Sequence, residues 1–341
     1  MMIVSNITSQ TTKIVWVGID LSKKTLDAAV WHGGTKYSWR KFDNNPKSFP
    51  AIVEWASKFA LGGAELRFCM ESTGDYGTLL ALYLLEVGYY VSVENPARIK
   101  HFGMQKNVLT KTDKADAKLI AWFATENSPK ACPLKDPLTR QLLRLHRRRL
   151  QLTEMIASEK CRRECPAVIG AECVSSIKTL LTALRAELRR IEEKLRELID
   201  SSEKLKEKAE LLMTIPGLGW ASVFVILIEM PDVEDVPHAP SYAAAAGVQP
   251  TAKRSGERQP ESSPMSRAGR RIVRRSLYMP SIHAAWKIPE LEMLYTRLVG
   301  KGKRRMQARV ACLRKLLMIV YGVLKNKKKF ATRYPPTETA A

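Results

Sequence analysis

Three strand-like runs follow one another near the N-terminus, and they restrict the fold more than any other feature of the sequence. They read KIVWVGI, TLDAAVWH and KYSWRKF, and the spacing between them is typical of hairpins. Helical and strand-like segments then alternate, namely SFPAIVEWASKFA, ELRFCM, YGTLLALYLLEVG, YYVSV and a helix that begins within KTDKADAKLIAWFA. A strand meander followed by such an alternation predicts a mixed α/β domain over residues 13–128, in which the residues ENP end the last strand.

Four acidic residues occupy particular positions in this predicted domain. Asp20 ends the first strand, Glu71 ends the fourth, and Asp113 and Asp116 stand three residues apart where the last helix begins. Residues i and i+3 of a helix are neighbours, and adjacent strands would bring Asp20 and Glu71 together. We therefore expect four carboxylates to converge. Their negative charges would repel one another unless cations neutralise them, and hard oxygen ligands select Mg²⁺ or Mn²⁺. Paired ions of this kind support phosphodiester cleavage.

Each of these acids taken alone has a simpler interpretation. An Asp at the end of a strand usually belongs to a turn or a cap. An Asp in the first turn of a helix is usually there because it interacts favourably with the helix dipole. The metal site is favoured by the joint pattern of two strand-end acids and a helix that carries two more.

Basic residues greatly outnumber acidic ones, with 56 Lys and Arg against 34 Asp and Glu and a formal net charge of +22. This excess indicates a polyanionic partner, with nucleic acid as the first candidate and an anionic membrane surface as the second. No segment approaches the roughly 18 apolar residues of a membrane span. The N-terminal residues also lack the pattern of a signal peptide, so the sequence predicts a cytoplasmic location.

A long helical pattern follows the first domain. Apolar residues recur there at steps of three and four, at Val174, Ile177, Leu181, Leu184, Leu188, Ile191, Leu195 and Leu198. This seam predicts a coiled coil, and the preceding stretch LTRQLLRLHRRRLQLTEMIASEKCRR is a candidate antiparallel partner, with the turn near 166–170. Residues 129–210 are thus a helical hairpin inside one subunit or a coiled coil between subunits, and the pattern leaves both open.

Residues 211–330 are predicted to form a mostly helical domain, with a flexible segment 1–12 and a disordered tail 331–341 at the ends of the chain. The motif IPGLG at 215–219 resembles a hairpin whose glycines let backbone amides approach a phosphate, although a packing glycine explains it equally well. The segment from Lys253 to Arg275 is strongly basic and contains several serines. It is a solvated loop with Ser266 as a helix cap, or a loop that grips a phosphate and presents a serine to it.

These motifs together resemble a known family. The segments are VGIDLSKKTLDAAVW, CMESTGDYG, VENPARIKHF, TKTDKADAKLIA, IPGLG and YAAAAGVQPTAKRSGERQPESSPMSRAGRRIVRRSLYMP. Their order and sequence resemble the DEDD transposases of bacterial insertion sequences, in insertion-sequence family one hundred and ten, which are described as bridge-RNA-guided recombinases. The resemblance extends from Lys13 to Phe330.

The resemblance implies an α/β plus α architecture: a RuvC-like (RNase-H-like) N-terminal domain, a coiled-coil linker and a helical C-terminal transposase domain. It implies that Asp20, Glu71, Asp113 and Asp116 bind Mg²⁺ and that Ser255, in KRSGER, attacks DNA to form a phosphoserine link. It further implies a tetramer built as a dimer of dimers, with composite active sites. A noncoding bridge RNA of the element would pair with donor and target DNA, and the protein would be associated with the bacterial nucleoid.

The sequence departs from the family after Ser255, where ERQPESSPMSRAG carries two prolines in place of further Gly and Ser residues. Ser266 therefore stays a lesser rival for the nucleophile. The residues expected to bind nucleic-acid backbones are Arg147, Arg148, Arg149, Lys253, Arg254, Arg258, Arg267, Arg270, Arg271, Arg274, Arg275, Lys301, Lys303, Arg304 and Arg305. The function expected is RNA-guided, site-specific DNA recombination. The alternatives are a junction-resolving nuclease that uses water as the nucleophile, and a non-catalytic nucleic-acid-binding scaffold.

Overall fold

A computed structural model describes residues 13–72, 76–108, 112–132, 136–164, 170–250, 265–266 and 269–332. The chain divides into two compact units, Met1–Lys135 and Asp136–Ala341. The predicted flexible segment 1–12 and all but two residues of the predicted tail 331–341 lie outside the described residues.

The first unit is built on a five-stranded mixed sheet with the strand order β3-β2-β1-β4-β5. The strands are β1 (Ile14–Leu21), β2 (Thr25–Gly33), β3 (Lys36–Asp43), β4 (Glu65–Glu71) and β5 (Tyr90–Glu94). β1 pairs antiparallel with β2 and parallel with β4, while β3 and β5 form the two edges. Three antiparallel strands extended by two parallel ones make the RNase-H-like sheet that the sequence predicts, and the predicted fold class is confirmed.

Helices cover both faces of this sheet. They are α1 (Phe49–Ser57), α2 (Thr78–Glu86), α3 (Pro96–Gln105) and α4 (Asp113–Asn127). Because side chains alternate along a strand, Val17 and Ile19 join the core cluster that contains α1 and α2 residues, whereas Trp16 belongs to the cluster of α3 and α4. The sheet thus has one apolar core on each side.

Helix α3 is absent from the sequence-based prediction, which read ENP only as the end of a strand. The side chain of Asn95 accepts a hydrogen bond from the backbone N–H of Ala97 at 2.9 Å, and Pro96 occupies the first helical position. An Asn cap followed by Pro is a helix-start signal, so the same residues end β5 and begin α3.

The second unit is helical, and the core cluster of its described residues draws on both predicted regions, 129–210 and 211–330. Its helices are α5 (Pro137–Arg162), α6 (Ala171–Asp200), α7 (Glu203–Met213), α8 (Trp220–Glu229), α9 (Ala239–Ala245), α10 (Arg271–Lys287), α11 (Pro289–Gly300) and α12 (Arg305–Asn326). Among the described residues, no helix is both long and apolar enough to cross a membrane.

Helix α6 packs against α5 of the same chain. Leu181, Leu184, Ile191 and Leu195 of the predicted seam are buried there, in the cluster that also contains Leu152 of α5. The pair is thus a helical hairpin within one chain. A coiled coil between subunits stays a prediction.

His146 of α5 is fully buried in the second unit, and neither ring nitrogen has a hydrogen-bond partner among the described residues. Burial, and then the charge of Arg149, lower the pKa of His146 to about 4. An unfolded chain protonates its histidines near pH 6.5, so the unfolded state takes up this proton first as the pH falls. The free energy of unfolding should therefore decrease by about 2 kcal/mol between pH 7 and pH 5 on account of this residue alone.

We expect His146→Leu to remove that part of the pH dependence. Urea unfolding of the natural protein and of His146→Leu at pH 7 and pH 5 gives the loss of unfolding free energy on acidification for each. The difference between the two losses measures the contribution of His146. The expectation is contradicted when the variant loses as much stability on acidification as the natural protein.

Candidate active site

Acidic residues form a row across four neighbouring strands at one end of the sheet. Asp20 of β1 is paired in register with Asp27 of β2, and Glu71 of β4 with Glu94 of β5. The parallel ladder between β1 and β4 ends with Ile19 opposite Met70, so Asp20 and Glu71 are the next neighbours. The structure therefore brings the two predicted strand-end acids side by side at the centre of the sheet.

Helix α4 reaches the same end of the sheet because one glycine lets it approach very closely. Gly18 lies two residues before Asp20 and so on the same face of β1. A Cβ atom on Gly18 would stand 2.2 Å from the backbone nitrogen of Ala121 and 2.5 Å from the carbonyl oxygen of Ala117, both in α4. Ala29, the partner of Gly18 on β2, packs on the same two alanines. Main-chain atoms of the helix and the strand are thus in direct contact.

The two helical acids lie in the first turn of α4. Thr112 caps the helix, because its Oγ1 accepts a hydrogen bond from the backbone N–H of Ala115 at 3.1 Å. Asp113 is exposed and Asp116 is half-buried. Asp116 directly precedes Ala117, and the close contact at Gly18 therefore holds it near the end of β1.

The charges of the other three predicted acids act on Asp20. The pKa of Asp20 is raised to about 6. Burial is the largest cause and the negative charge of Asp116 is the next, while a backbone hydrogen bond at Leu21 opposes the shift. The charges of Asp113 and Glu71 raise the pKa further. In the described part of the chain, no three His, Cys, Asp or Glu side chains already stand in a metal-ligand arrangement.

The two outer acids of the row, which the sequence analysis did not single out, have partners of their own. Asp27 is buried; it accepts a hydrogen bond from Trp39 Nε1 at 2.9 Å and lies 3.8 Å from Lys41 Nζ. Glu94 is bound by Arg98 Nη1 at 2.6 Å, and Ser92 Oγ donates to it at 3.3 Å. The signal that could have identified Asp27 is a charged residue within the mainly apolar run TLDAAVWH.

This distribution of charge fits a divalent cation in the middle of the row. The outer carboxylates are balanced by protein cations, whereas burial and the charges of three other acids raise the pKa of Asp20. Carboxylate oxygens are the ligands that Mg²⁺ and Mn²⁺ prefer. Asp20, Glu71, Asp113 and Asp116 therefore have the ligand chemistry that such an ion needs, although in the described residues their side chains are not already arranged as a metal site.

The predicted nucleophile Ser255 lies outside the described residues, as do Lys253, Arg254, Arg258 and Arg267. The rival Ser266 is described, and its backbone N–H donates to the carbonyl oxygen of Gln249 at 2.7 Å, beside the bridge between Met265 and Pro250. Helix α10 begins at Arg271 with Arg270 as its cap. The predicted capping role of Ser266 is therefore wrong, because its backbone is paired in an extended bridge before the helix starts.

Four of the predicted phosphate-binding arginines make contacts inside the second unit. Arg149 is mostly buried and pairs with Glu192 at 2.7 Å. Arg270 contacts Glu229, Arg275 pairs with Glu154, and Arg274 donates to the carbonyl oxygens of Ala246 and Gly269 at 2.9 and 3.1 Å. Because Arg149 is buried, we exclude it from the residues predicted to bind nucleic-acid backbones. The predicted residues that are exposed are Arg147, Arg148, Arg270, Arg271, Arg275, Lys301, Lys303, Arg304 and Arg305.

The motif IPGLG contains a glycine that packs against another helix. Gly217 has a φ of +88°, and a Cβ atom there would stand 2.7 Å from the backbone nitrogen of Ala284 in α10. This contact supports the packing alternative for Gly217. Gly219 is the N-cap residue of α8, with no atom within 4 Å of its would-be Cβ.

An RNase-H-like sheet with two strand-end acids and two helical acids at one end defines a class of enzymes that act on phosphodiester bonds. Comparison with protein families agrees with this class. Residues 17–165 match the DEDD transposase model of IS110, and residues 209–296 match the model described as "Transposase IS116/IS110/IS902 family". The chain belongs to the IS110 family of DEDD transposases. It is accordingly a DNA-recombining enzyme, and the DEDD family implies use of a divalent metal ion.

Similar proteins include the "Pilin gene-inverting protein" of Moraxella bovis, which is 27% identical over 322 residues, or 93% of this chain and 98% of that protein. The "Insertion element IS110 uncharacterized 43.6 kDa protein" of Streptomyces coelicolor is 26% identical over 163 residues, or 48% of this chain and 39% of that protein. Among solved structures, RuvC of T. thermophilus in complex with a Holliday junction substrate matches 35% of this chain and 100% of its own, with 15% identity and a TM-score of 0.28.

Proposed function

We propose that this transposase cuts and rejoins donor and target DNA by serine attack under the guidance of a noncoding RNA. Asp20, Glu71, Asp113 and Asp116 hold Mg²⁺ or Mn²⁺, and Ser255 is the nucleophile. The observation that carries the metal part is the adjacent position of Asp20 and Glu71 at the ends of β1 and β4, and the pKa of Asp20, raised by burial and by the charges of Asp116, Asp113 and Glu71, supports it. The serine part is supported by the motif KRSGER and by family membership.

The four carboxylates are the protein's contribution to the metal site. Asp20 and Glu71 are fixed by neighbouring strands, and Asp113 and Asp116 by a helix that contacts β1 through main-chain atoms. When bound, the metal supplies charge neutralisation and polarisation of a phosphate oxygen. Asp27 and Glu94 stay with their own protein partners and complete the acidic row without joining the ligand set.

The serine step conserves the energy of the phosphodiester bond. The Ser255 hydroxyl loses its proton and attacks phosphorus, a phosphoserine bond forms, and the departing strand end leaves as a hydroxyl after taking up a proton. A hydroxyl of another strand then attacks the phosphoserine, which restores the serine and joins the new strand. No water is consumed and no external energy source is required. This balance is what distinguishes a recombinase from a hydrolytic nuclease with the same carboxylates.

The remaining parts of the proposal concern partners. The chain acts as a tetramer with composite active sites and uses a bridge RNA, and it works in the cytoplasm at the nucleoid. Support for nucleic-acid partners comes from the net charge of +22. Further support comes from the exposed basic residues at 147–148 and 301–305, which are suited to nucleic-acid backbones.

A denaturing gel tests the serine step. Purified protein is incubated with Mg²⁺, the element's RNA and end-labelled donor DNA, and protein-linked DNA is separated from free ends. We expect a linked band for the natural protein, no linked band for Ser255→Ala, and a retained band for the matched control Ser266→Ala. Omission of the RNA should abolish the band.

The alternatives give different gels. Free cleaved ends that persist in Ser255→Ala would establish the water-using nuclease. Loss of the linked band in Ser266→Ala alone would transfer the nucleophile to Ser266.

A further inference from the structure

A groove of about 350 Å³ lies between the edge strand β3 and helix α4 of the first unit. Tyr37 of β3 forms one wall, and Lys114, Lys118 and Trp122 of α4 form the other. These three helical residues are spaced by four, so they form a single stripe along the helix. We call this feature the aromatic–lysine groove.

Its lysines are held against aromatic rings of β3. Lys118 Nζ lies 4.6 Å from the centre of the Tyr37 ring, and Lys114 Nζ lies 4.6 Å from the centre of the Trp39 ring. The Trp39 indole is oriented by its hydrogen bond to Asp27 and is 36% exposed. Cations therefore stand beside flat apolar faces along the rim of the groove.

Trp122 makes the far end of the groove rigid. Its ring stacks on that of Trp31, with centroids 5.6 Å apart and an interplanar angle of 29°. Its Nε1 donates to Glu126 Oε1 at 2.6 Å, and Lys106 Nζ lies 5.0 Å from the ring centre. A wall fixed in this way loses little conformational freedom when a ligand binds.

The lining of the groove contains none of the four acids assigned to the metal, although Trp39 at its rim donates a hydrogen bond to Asp27 of the acidic row. Asp113 and Asp116 lie on a different face of α4, since they are displaced by about 100° or more from the stripe that begins at Lys114. The groove needs no metal, and the chemistry of strand cleavage leaves its residues unassigned.

We infer that the aromatic–lysine groove binds an unpaired nucleic-acid strand, with a base against Tyr37 and backbone phosphates on Lys114 and Lys118. Sites for single strands combine aromatic platforms for base stacking with a positively charged path for the backbone. A duplex cannot use such a site fully, because its base faces are covered by stacking within the helix. A loop of RNA and a separated DNA strand both present this chemistry.

Binding to the full chain is measured by fluorescence anisotropy in EDTA, so that no turnover occurs. The probes are labelled oligo-dT and oligo-rU of about 12 nucleotides, a length within the usual range of single-strand sites, and a DNA duplex of equal length. Tyr37→Leu removes the ring, Tyr37→Phe keeps it, and Lys114→Gln with Lys118→Gln removes two charges. The matched control is Lys58→Gln, an exposed lysine at the end of α1 on the opposite side of the sheet.

We expect Tyr37→Leu to weaken single-strand binding roughly tenfold while duplex binding and Tyr37→Phe stay close to the natural protein. The lysine double variant should lower the slope of log affinity against log salt by about 1.4, the value for two phosphates of a single strand. Lys58→Gln should change neither quantity. The ratio of affinities for oligo-rU and oligo-dT assigns the natural ligand to RNA or to a DNA strand.

The inference is overturned by equal losses for duplex and single strand, which would indicate a general backbone surface. It is also overturned when the lysine double variant matches Lys58→Gln in affinity and salt slope. A thermal melt of each variant tests whether a loss of binding is a loss of folding. If Tyr37→Leu melts early, the lysine double variant provides the decisive comparison. Failure here leaves the serine proposal untouched, because binding is measured without the reaction.

Discussion

Asp20→Asn should reduce strand cleavage at least about a thousandfold, equivalent to roughly 4 kcal/mol in the barrier, without harming the fold. The amide has nearly the shape of the carboxylate but lacks its charge, so it weakens a hard-cation site selectively. Removing one of four mutually repelling charges should leave the thermal midpoint unchanged or higher in the absence of metal, since Asp20 is the member whose pKa is raised by the others.

The measurement has two readouts. The first is cleavage of labelled donor DNA with Mg²⁺ and RNA present. The second is the rise of the thermal midpoint on addition of Mg²⁺, which the natural protein should show and Asp20→Asn should not. The matched control is Asp27→Asn, because an amide oxygen there can still accept the hydrogen bond from Trp39.

Asp27→Asn should keep cleavage within about tenfold of the natural protein. A tenfold loss is the lower end of the effects seen when a residue next to a metal ligand, but not itself a ligand, is changed. Full cleavage by Asp20→Asn would show that Asp20 does not hold the catalytic metal, and the assignment of the four acids would be wrong. Equal inactivation by both variants would extend the essential acids beyond the four assigned here.

Gly18→Ala should destabilise the first unit by about 3 kcal/mol or more, and it should abolish cleavage even at temperatures where the protein stays folded. The added methyl would stand 2.2 Å from a backbone nitrogen of α4, and neither the strand nor the helix can relieve that overlap by a rotamer change. The helix must move away from β1, which separates Asp113 and Asp116 from Asp20 and Glu71.

Gly103→Ala is the matched control for this experiment. A methyl group on Gly103 of α3 would meet the side chain of Leu119 at 2.9 Å, and a leucine side chain can rotate away. We expect a loss of at most about 1 kcal/mol and normal cleavage. Urea unfolding and the DNA cleavage assay measure both variants, and equal effects of the two would mean that the contact at Gly18 does not position α4.

The positions of the four predicted acids were accessible from sequence because they depend on local signals. A β run that ends near Asp20, another that ends at Glu71, and a helix with Asp113 and Asp116 in its first turn are each visible within about ten residues. What joins them is not local. The parallel pairing of β1 with β4 and the register that aligns Asp27 and Glu94 with them are set by long-range packing.

The aromatic–lysine groove was missed for the same reason. The residues of KYSWRKF alternate, and Tyr37 and Trp39 point toward α4 only because β3 pairs with β2 in one register. One signal was nevertheless present and not used. A glycine inside a strand often marks a close approach of another backbone, and Gly18 stands two residues before Asp20 in VGID.

The contact at Gly18 also determines how the site responds to change elsewhere in the molecule. Where side chains separate a helix from a sheet, a smaller or larger core residue moves the helix toward the sheet or away from it. Here backbone touches backbone, so α4 has a fixed point beside Asp116. Altered volume at Ile120 or Phe123, farther along the helix, can tilt α4 about that point but cannot lift its acidic end from the sheet. The spacing of the carboxylates is thereby insulated from variation in the core that supports them.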